Sequence, residues 1–245
     1  MTTFEWEFEN TKYHPLAHPS ESATSAYERM GYGIADFYEH FPCFVGAAYL
    51  ARFISLYECY KNTLGISGHI AEVGVFRGAC SLFFGKLSVL YEPAALTQVH
   101  GFDLFERATY PDDAPKGYGF KENYERVKNL VEIQGYQNHV KLHQLDARTD
   151  LPAFFAAHPH LQFKLVLLDS GAEYEIVRSC VETFWPRLSL GGIMIFDQYN
   201  HEAAPEETRA ARDCLPPDAV IRTFPHGWMP TAYVVKGESL KTTKP

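Results

Sequence analysis

No stretch of the 245-residue sequence approaches the roughly 20 consecutive apolar residues that cross a bilayer, so a membrane-spanning chain is not expected. An excess of positive charge is missing too: 22 basic residues face 30 acidic ones, for a net charge of −8. That balance repels polyanions and argues against nucleic acid or an anionic membrane as partner. Low-complexity runs and charge blocks are lacking, and the apolar content is ample, which argues against disorder. The five cysteines (Cys43, Cys59, Cys80, Cys180, Cys214) are odd in number and form no CxxC pair, so small core thiols are expected rather than a disulfide framework. The opening MTTFEWEFENTKYHP is acidic and broken by polar residues, unlike a signal peptide, and the reading is a reduced cytoplasmic protein. What is present is 46% hydrophobic and 15% aromatic residues, enough for one globular domain of generous size.

Residues 1–45 are aromatic and irregular, with turn signals at His14-Pro15, His18-Pro19 and Phe41-Pro42. From Gly46 a helical stripe runs through Leu50, Phe53, Ile54 and Tyr57 at the i, i+3, i+4, i+7 spacing. Strand and helix signals then alternate. Strands are expected at 69–74, 98–103, 140–146, 163–169 and 191–197. Helices are expected at 79–91, at 121–134, just after Asp150, up to Trp185-Pro186, and at 205–214. Residues 219–224 and 231–236 read as a closing pair of strands. The alternation predicts an α/β, Rossmann-like, doubly wound sheet, in which ligands bind beyond the carboxyl ends of the strands.

Four of those strands end in an acid at that edge: Asp103, Asp146, Asp169 and Asp197. One such residue alone reads as a turn or a helix cap. Four in one layer converge on a crevice, where unpaired carboxylates are costly unless a ligand or metal meets them. The first strand leads into Glu72-Val73-Gly74-Val75-Phe76-Arg77-Gly78, whose glycines permit a tight turn and close backbone approach. The pattern is ExGxxxG rather than GxGxxG, and an acid at the first glycine position would repel a pyrophosphate at the helix N-terminus. A nicotinamide-dependent oxidoreductase is therefore disfavoured, and a ligand with a cationic amino group suits the loop better. Asp103 stands 25 residues after Gly78, where Rossmann-like folds place the acid that accepts hydrogen bonds from ribose hydroxyls.

The stretches AEVGVFRGACS, GFDLFE, LVLLDSGAEYE and PRLSLGGIMIFDQYN resemble the class I S-adenosylmethionine-dependent methyltransferases, and more narrowly the macrocin O-methyltransferase group, which methylates sugar hydroxyls. The likeness runs over about residues 46–236. It implies a seven-stranded methyltransferase domain over 46–240; residues 1–45 lie outside the likeness and are read as a helical cover, over its own site or that of a second copy in a homo-oligomer. By the same resemblance Glu72, Gly74 and Gly78 line the methionine end of the cofactor. Asp103 holds the ribose, with Phe102 or Leu104 beside it, and Asp146 and Ala147 meet the adenine. Ser81 opens the next helix as a cofactor contact or a plain helix-start residue, and Arg77 is a partner for the cofactor carboxylate, a partner for the sheet-edge acids, or a solvated surface arginine.

The resembled family carries IDxD after strand four and DD after strand five, which implies three metal-binding acids and one catalytic base. This chain reads Leu168-Asp169-Ser170-Gly171-Ala172-Glu173 and Asp197-Gln198 instead. The base position is filled by Gly171, or by Glu173 if one residue loops out, and the third metal ligand has become Gln198. Asp169, Asp197 and the Gln198 amide remain a candidate Mg²⁺ set, since a hard cation accepts carbonyl oxygen. Alternatively the metal is gone and His201, just past strand five, is the base, against the plain reading of a solvated loop residue among 11 histidines. For the acceptor, a small molecule, Tyr27, Tyr32, Tyr110, Tyr118, His226, Gly227 and Trp228 sit in loop-like stretches that suit a sugar or a flat phenol, or simply pack. Metal-free methylation of a phenol and a non-catalytic cofactor-binding subunit stay open beside sugar O-methylation.

Overall fold

The computed structural model describes residues 27, 29–105, 123–170, 173–202, 204–224 and 229–239. Its strands are β1 (His69–Val73), β2 (Val99–Asp103), β3 (Val140–Gln144), β4 (Phe163–Leu168), β5 (Leu188–Phe196), β6 (Ala219–Thr223) and β7 (Ala232–Ser239). Its helices are α1 (Ile34–Glu39), α2 (Ala47–Asn62), α3 (Ala79–Tyr91), α4 (Asn123–Ile133), α5 (Leu151–Ala157), α6 (Tyr174–Phe184) and α7 (Pro205–Cys214). The strands form one seven-stranded sheet in the order β3-β2-β1-β4-β5-β7-β6. Pairing is parallel from β3 to β5, and β7 runs antiparallel to both neighbours. The expected doubly wound sheet is therefore present, with the 219–224 and 231–236 segments as its reversed edge.

Side-chain alternation splits the core into two layers. On β4, Leu165 and Leu167 face the cluster under α2, α3 and α4, while Val166 and Leu168 face the one under α5, α6 and α7. On β5, Ile193 and Ile195 take the first face, and Met194 and Phe196 the second. Lys164 breaks the apolar run of β4 and is fully buried. Its ammonium pairs with Glu92, just past α3, and lies 5.2 Å from the Tyr60 ring centroid. The Tyr60 hydroxyl also donates to Glu92, at 2.6 Å.

Two expectations shift. The buried stripe of α2 is Ala51, Ser55, Leu56, Cys59 and Tyr60, whereas Ile54 is exposed. Small residues mark this face, and a pattern built on large apolar side chains reads past them. β5 begins at Leu188 rather than 191, because Gly191 and Gly192 continue the strand past a register irregularity against β4. A Cβ on Gly192 would stand 2.9 Å from the Lys164 carbonyl oxygen, so the strand crosses its neighbour too closely for any other residue. All five cysteines are free thiols. Among the described residues no helix is long and apolar enough to cross a membrane. Tyr27, Tyr32, Phe37 and Phe44 pack on one another ahead of α2, with Tyr27 and Tyr32 each 5.3 Å from Phe44 by ring centroid. The expectations for residues 1–26, the 106–119 loop with Tyr110 and Tyr118, Gly171, and His226-Gly227-Trp228 lie outside the described residues.

Candidate active site

β1 delivers Glu72 into the crevice floor, where it is buried and accepts a hydrogen bond from the Ser81 hydroxyl. Burial pushes the Glu72 carboxyl up to about 8, opposed by Ser81 and by the Arg52 charge. Ser81 is therefore turned inward to Glu72, and the cap position of α3 falls to Gly78. Gly74 takes a left-handed conformation at φ +93°, and a Cβ there would lie 2.0 Å from the Asp169 carbonyl oxygen. The loop after β1 thus presses on the loop after β4, and only glycine permits the contact.

Asp103, at the end of β2, is held by backbone rather than by side chains. The Phe76 N–H donates to Oδ2 at 2.9 Å and the Phe105 N–H to Oδ1 at 2.8 Å. Phe76 and Phe105 both have positive φ, at 51° and 52°, a conformation disfavoured for bulky residues and worth its cost at a binding loop. Each carboxylate oxygen keeps a further lone pair for a ligand hydroxyl. Phe102 does not stand beside that acid: its ring is fully buried among Phe154, Phe155 and Phe184. The Arg77 guanidinium lies 5.2 Å from the Phe76 ring centroid, on the exposed side of the loop.

Asp146 follows β3 and binds Arg148, whose Nε and Nη2 reach its carboxylate at 3.1–3.3 Å. Burial acts to raise Asp146, but the Arg148 hydrogen bonds outweigh it and hold the group below the ordinary carboxylate range. Nη1 of the same arginine takes Glu173 at 3.2 Å. Glu173 is thus engaged with Arg148 and mostly exposed, at the cap of α6. The Ala147 carbonyl accepts from the Ser179 hydroxyl at 2.7 Å, which fixes the turn after β3.

Asp169 and Asp197 extend from the adjacent strands β4 and β5. Between them stands Arg52 of α2, its Nη2 2.6 Å from Asp169 Oδ2 and its Nη1 2.5 Å from Asp197 Oδ1. Nη2 also approaches Cys80 Sγ at 3.5 Å. Burial works against the guanidinium charge, yet Asp197, Cys80 and Asp169 keep Arg52 firmly protonated. For Asp169, burial and the Asp197 charge both act upward, against the pull of Arg52. Gln198 donates its backbone N–H to buried Glu207 at 2.7 Å, and Asn200 donates to the Thr208 hydroxyl at 2.7 Å. These bonds from the first turn of α7 shape the loop that carries His201. Burial and the nearby Asp197 push Glu207 up to about 8.

The sheet thus brings Glu72, Asp103, Asp169 and Asp197 to one edge, with Asp146 and Glu173 sharing a separate arginine. A divalent cation does not fit the Asp169, Asp197 and Gln198 set, because a guanidinium already bridges its two carboxylates and position 198 offers no third one. Among the described residues no group of three histidine, cysteine or acidic side chains is arranged to hold a metal. Arg52, Arg148 and Glu207 are the site residues the motifs did not single out.

A parallel sheet of this order, closed by a reversed β7 and carrying an acid-and-glycine loop after β1, defines the class I S-adenosylmethionine-dependent methyltransferases. The chain belongs to the methyltransferase-domain family, whose model matches residues 71–199, just over half of its length. It is 27% identical over 176 residues to mycinamicin III 3''-O-methyltransferase of Micromonospora griseorubida, covering 67% of this chain and 68% of that protein. In fold it is similar to CalS11, a TDP-rhamnose 3'-O-methyltransferase of calicheamicin biosynthesis, with a TM-score of 0.71 at 24% identity over 93% of this chain and 100% of that one. The O-methyltransferase NovP matches with a TM-score of 0.61 at 18% identity, over 77% of this chain and 80% of NovP.

Proposed function

We propose that this protein methylates a hydroxyl group of a sugar carried by a small molecule, with S-adenosylmethionine as donor. The observation that carries the reading is the order of acids along the sheet edge. Strands β3, β2, β1 and β4 stand side by side, so Asp146, Asp103, Glu72 and Asp169 follow one another along the edge, an order that suits an adenine, a ribose, an amino group and a reacting centre in turn. When bound, S-adenosylmethionine supplies an electrophilic methyl on a sulfonium, and positioning dominates such an in-line displacement. Asp103, pre-aimed by two backbone amides, is the group for the ribose diol. Glu72, buried beneath the loop and held protonated up to about 8, would ionise against a cationic amino group that docks on it. The sugar acceptor is supported by the likeness to the mycinamicin III 3''-O-methyltransferase and to CalS11, a TDP-rhamnose 3'-O-methyltransferase.

A sugar hydroxyl is a weak acid and needs a base. Asp169 is engaged with Arg52 and Glu173 with Arg148, so we assign the proton to His201, on the loop that Glu207 and Thr208 hold beyond β5. The Arg52 bridge also favours a second reading, methylation of a phenol, whose hydroxyl gives up its proton without help from a metal. Calorimetry with S-adenosylhomocysteine, followed by methyl-transfer assays on nucleotide-linked sugars, macrolide glycosides and catechols, tests both readings. Micromolar binding with turnover on a sugar is expected. Turnover on catechols alone selects the second reading, and failure to bind the nucleoside overturns both. His201→Ala is expected to lower turnover on the order of 100-fold at unchanged affinity for S-adenosylhomocysteine. A drop of less than threefold would return His201 to an ordinary loop residue.

A further inference from the structure

α2 contributes a charge to a crevice otherwise assembled from strand ends and their loops. Arg52 projects from the face that also buries Ala51, Ser55 and Leu56, and its side chain is only 13% exposed. The planar fork spans two carboxylates from neighbouring strands, one nitrogen to each. We propose that Arg52 is the resident cation of the site: its guanidinium holds the place between Asp169 and Asp197 that a divalent ion would otherwise take. Methyl transfer then runs without Mg²⁺ and depends on Arg52 as a positioning residue. The proposal rests on the methyltransferase reading above and extends it.

Three features support this assignment. A divalent ion entering between the acids must expel Arg52 from its carboxylate partners or sit against its positive charge. An expelled guanidinium would remain beside the weakly polar Cys80 thiol, and a buried cation without its acids is costly. Two neighbouring acids do not complete a metal set either, for Glu72 accepts the Ser81 hydroxyl. Glu207 interacts with Asp197 electrostatically, but its Oε1 accepts the Gln198 N–H at 2.7 Å. Finally, one guanidinium against two carboxylates leaves the pair less negative without neutralising it, so two acids can remain close together at the floor of the crevice.

The test uses the full chain saturated with S-adenosylhomocysteine and titrated with MgCl₂ in a calorimeter. Arg52→Met, which keeps the bulk of the stem and removes the charge, and Arg52→Lys, which keeps the charge, are titrated alongside. The wild type and Arg52→Lys should give no binding heat at millimolar Mg²⁺. Arg52→Met should bind the ion at least tenfold more tightly than either. Micromolar Mg²⁺ binding by the wild type overturns the proposal, and so does an Arg52→Met variant as indifferent to the ion as the wild type. Should Arg52→Met fail to fold, electron paramagnetic resonance of Mn²⁺ with the wild-type protein decides alone. A free-ion signal supports Arg52 as the cation, and a bound one removes it. Once an acceptor is known, EDTA should leave wild-type turnover within twofold, and Arg52→Met should lose at least tenfold. Binding of S-adenosylhomocysteine is measured in the same cell first, so its failure sinks the methyltransferase reading separately from the metal titration.

Discussion

The two halves of the crevice are built by different means. On the β2–β1 side the chain holds Asp103 with backbone amides from loops at most 27 positions away. On the β4–β5 side it holds Asp169 and Asp197 with a side chain 117 and 145 positions away. The first device survives any change of side chain that leaves the loops in shape. The second disappears with a single substitution.

Gly74 sits where the halves touch, and its replacement should have the largest effect. Gly74→Ala combines a positive φ with a Cβ 2.0 Å from a backbone oxygen, and should cost about 4 kcal/mol of stability in urea unfolding. A loss under about 1 kcal/mol would show that the halves move independently. Asp103→Ala should weaken S-adenosylhomocysteine by about tenfold to a hundredfold, the worth of hydrogen bonds to a charged group, and, combined with Arg52→Met, leave that variant's Mg²⁺ affinity untouched. An equal effect on both would erase the distinction between the halves. On the β2–β3 side acid acts through a pair of histidines. His100 and His143 stack with Nδ1 and Nε2 3.0 Å apart, and burial lowers them to about 3 and about 4. At these two rings the folded state therefore binds fewer protons than the unfolded chain between those values and the ordinary histidine range. Their contribution to stability is complete above about pH 6.5 and falls as pH drops toward 4, with a slope near 1.4 kcal/mol per pH unit for each histidine. Glu72 and Glu207, raised to about 8, act with the opposite sign, adding stability that is lost as pH rises toward 8. His143→Gln should flatten that slope in thermal melts, and an unchanged slope would move its origin elsewhere. Ser81→Ala is the mildest, removing one donor from Glu72 for about 1 kcal/mol.

Local regularity made most of the fold legible. Helices α3 and α7 occupy the expected residues 79–91 and 205–214, since each is a single run bounded by clear breaks. The acids Asp103, Asp169 and Asp197 were readable because a strand that ends in a carboxylate places it at a known edge. Glu72 was readable as an acid of the loop, but not as a buried one bonded to Ser81. Arg52 was not legible as part of the site, because no pattern within α2 encodes partners on β4 and β5. The alternative partners of Glu173 and Asp146 were hidden for a similar reason: Arg148 is one polar residue in a polar turn, and only the fold brings Glu173 to it.

α2 is fastened near both ends. Arg52 ties it to the acids at the carboxyl edge of the sheet, and Tyr60, about 12 Å further along, meets Lys164 and Glu92 at the opposite edge. A helix moored in this way works as a strut along the strands, and it cannot slide or fray without releasing a buried ion at one mooring. Amide protons in its central turns should therefore reach solvent only when the sheet itself opens, so that hydrogen exchange within one helix reports the lifetime of the whole domain.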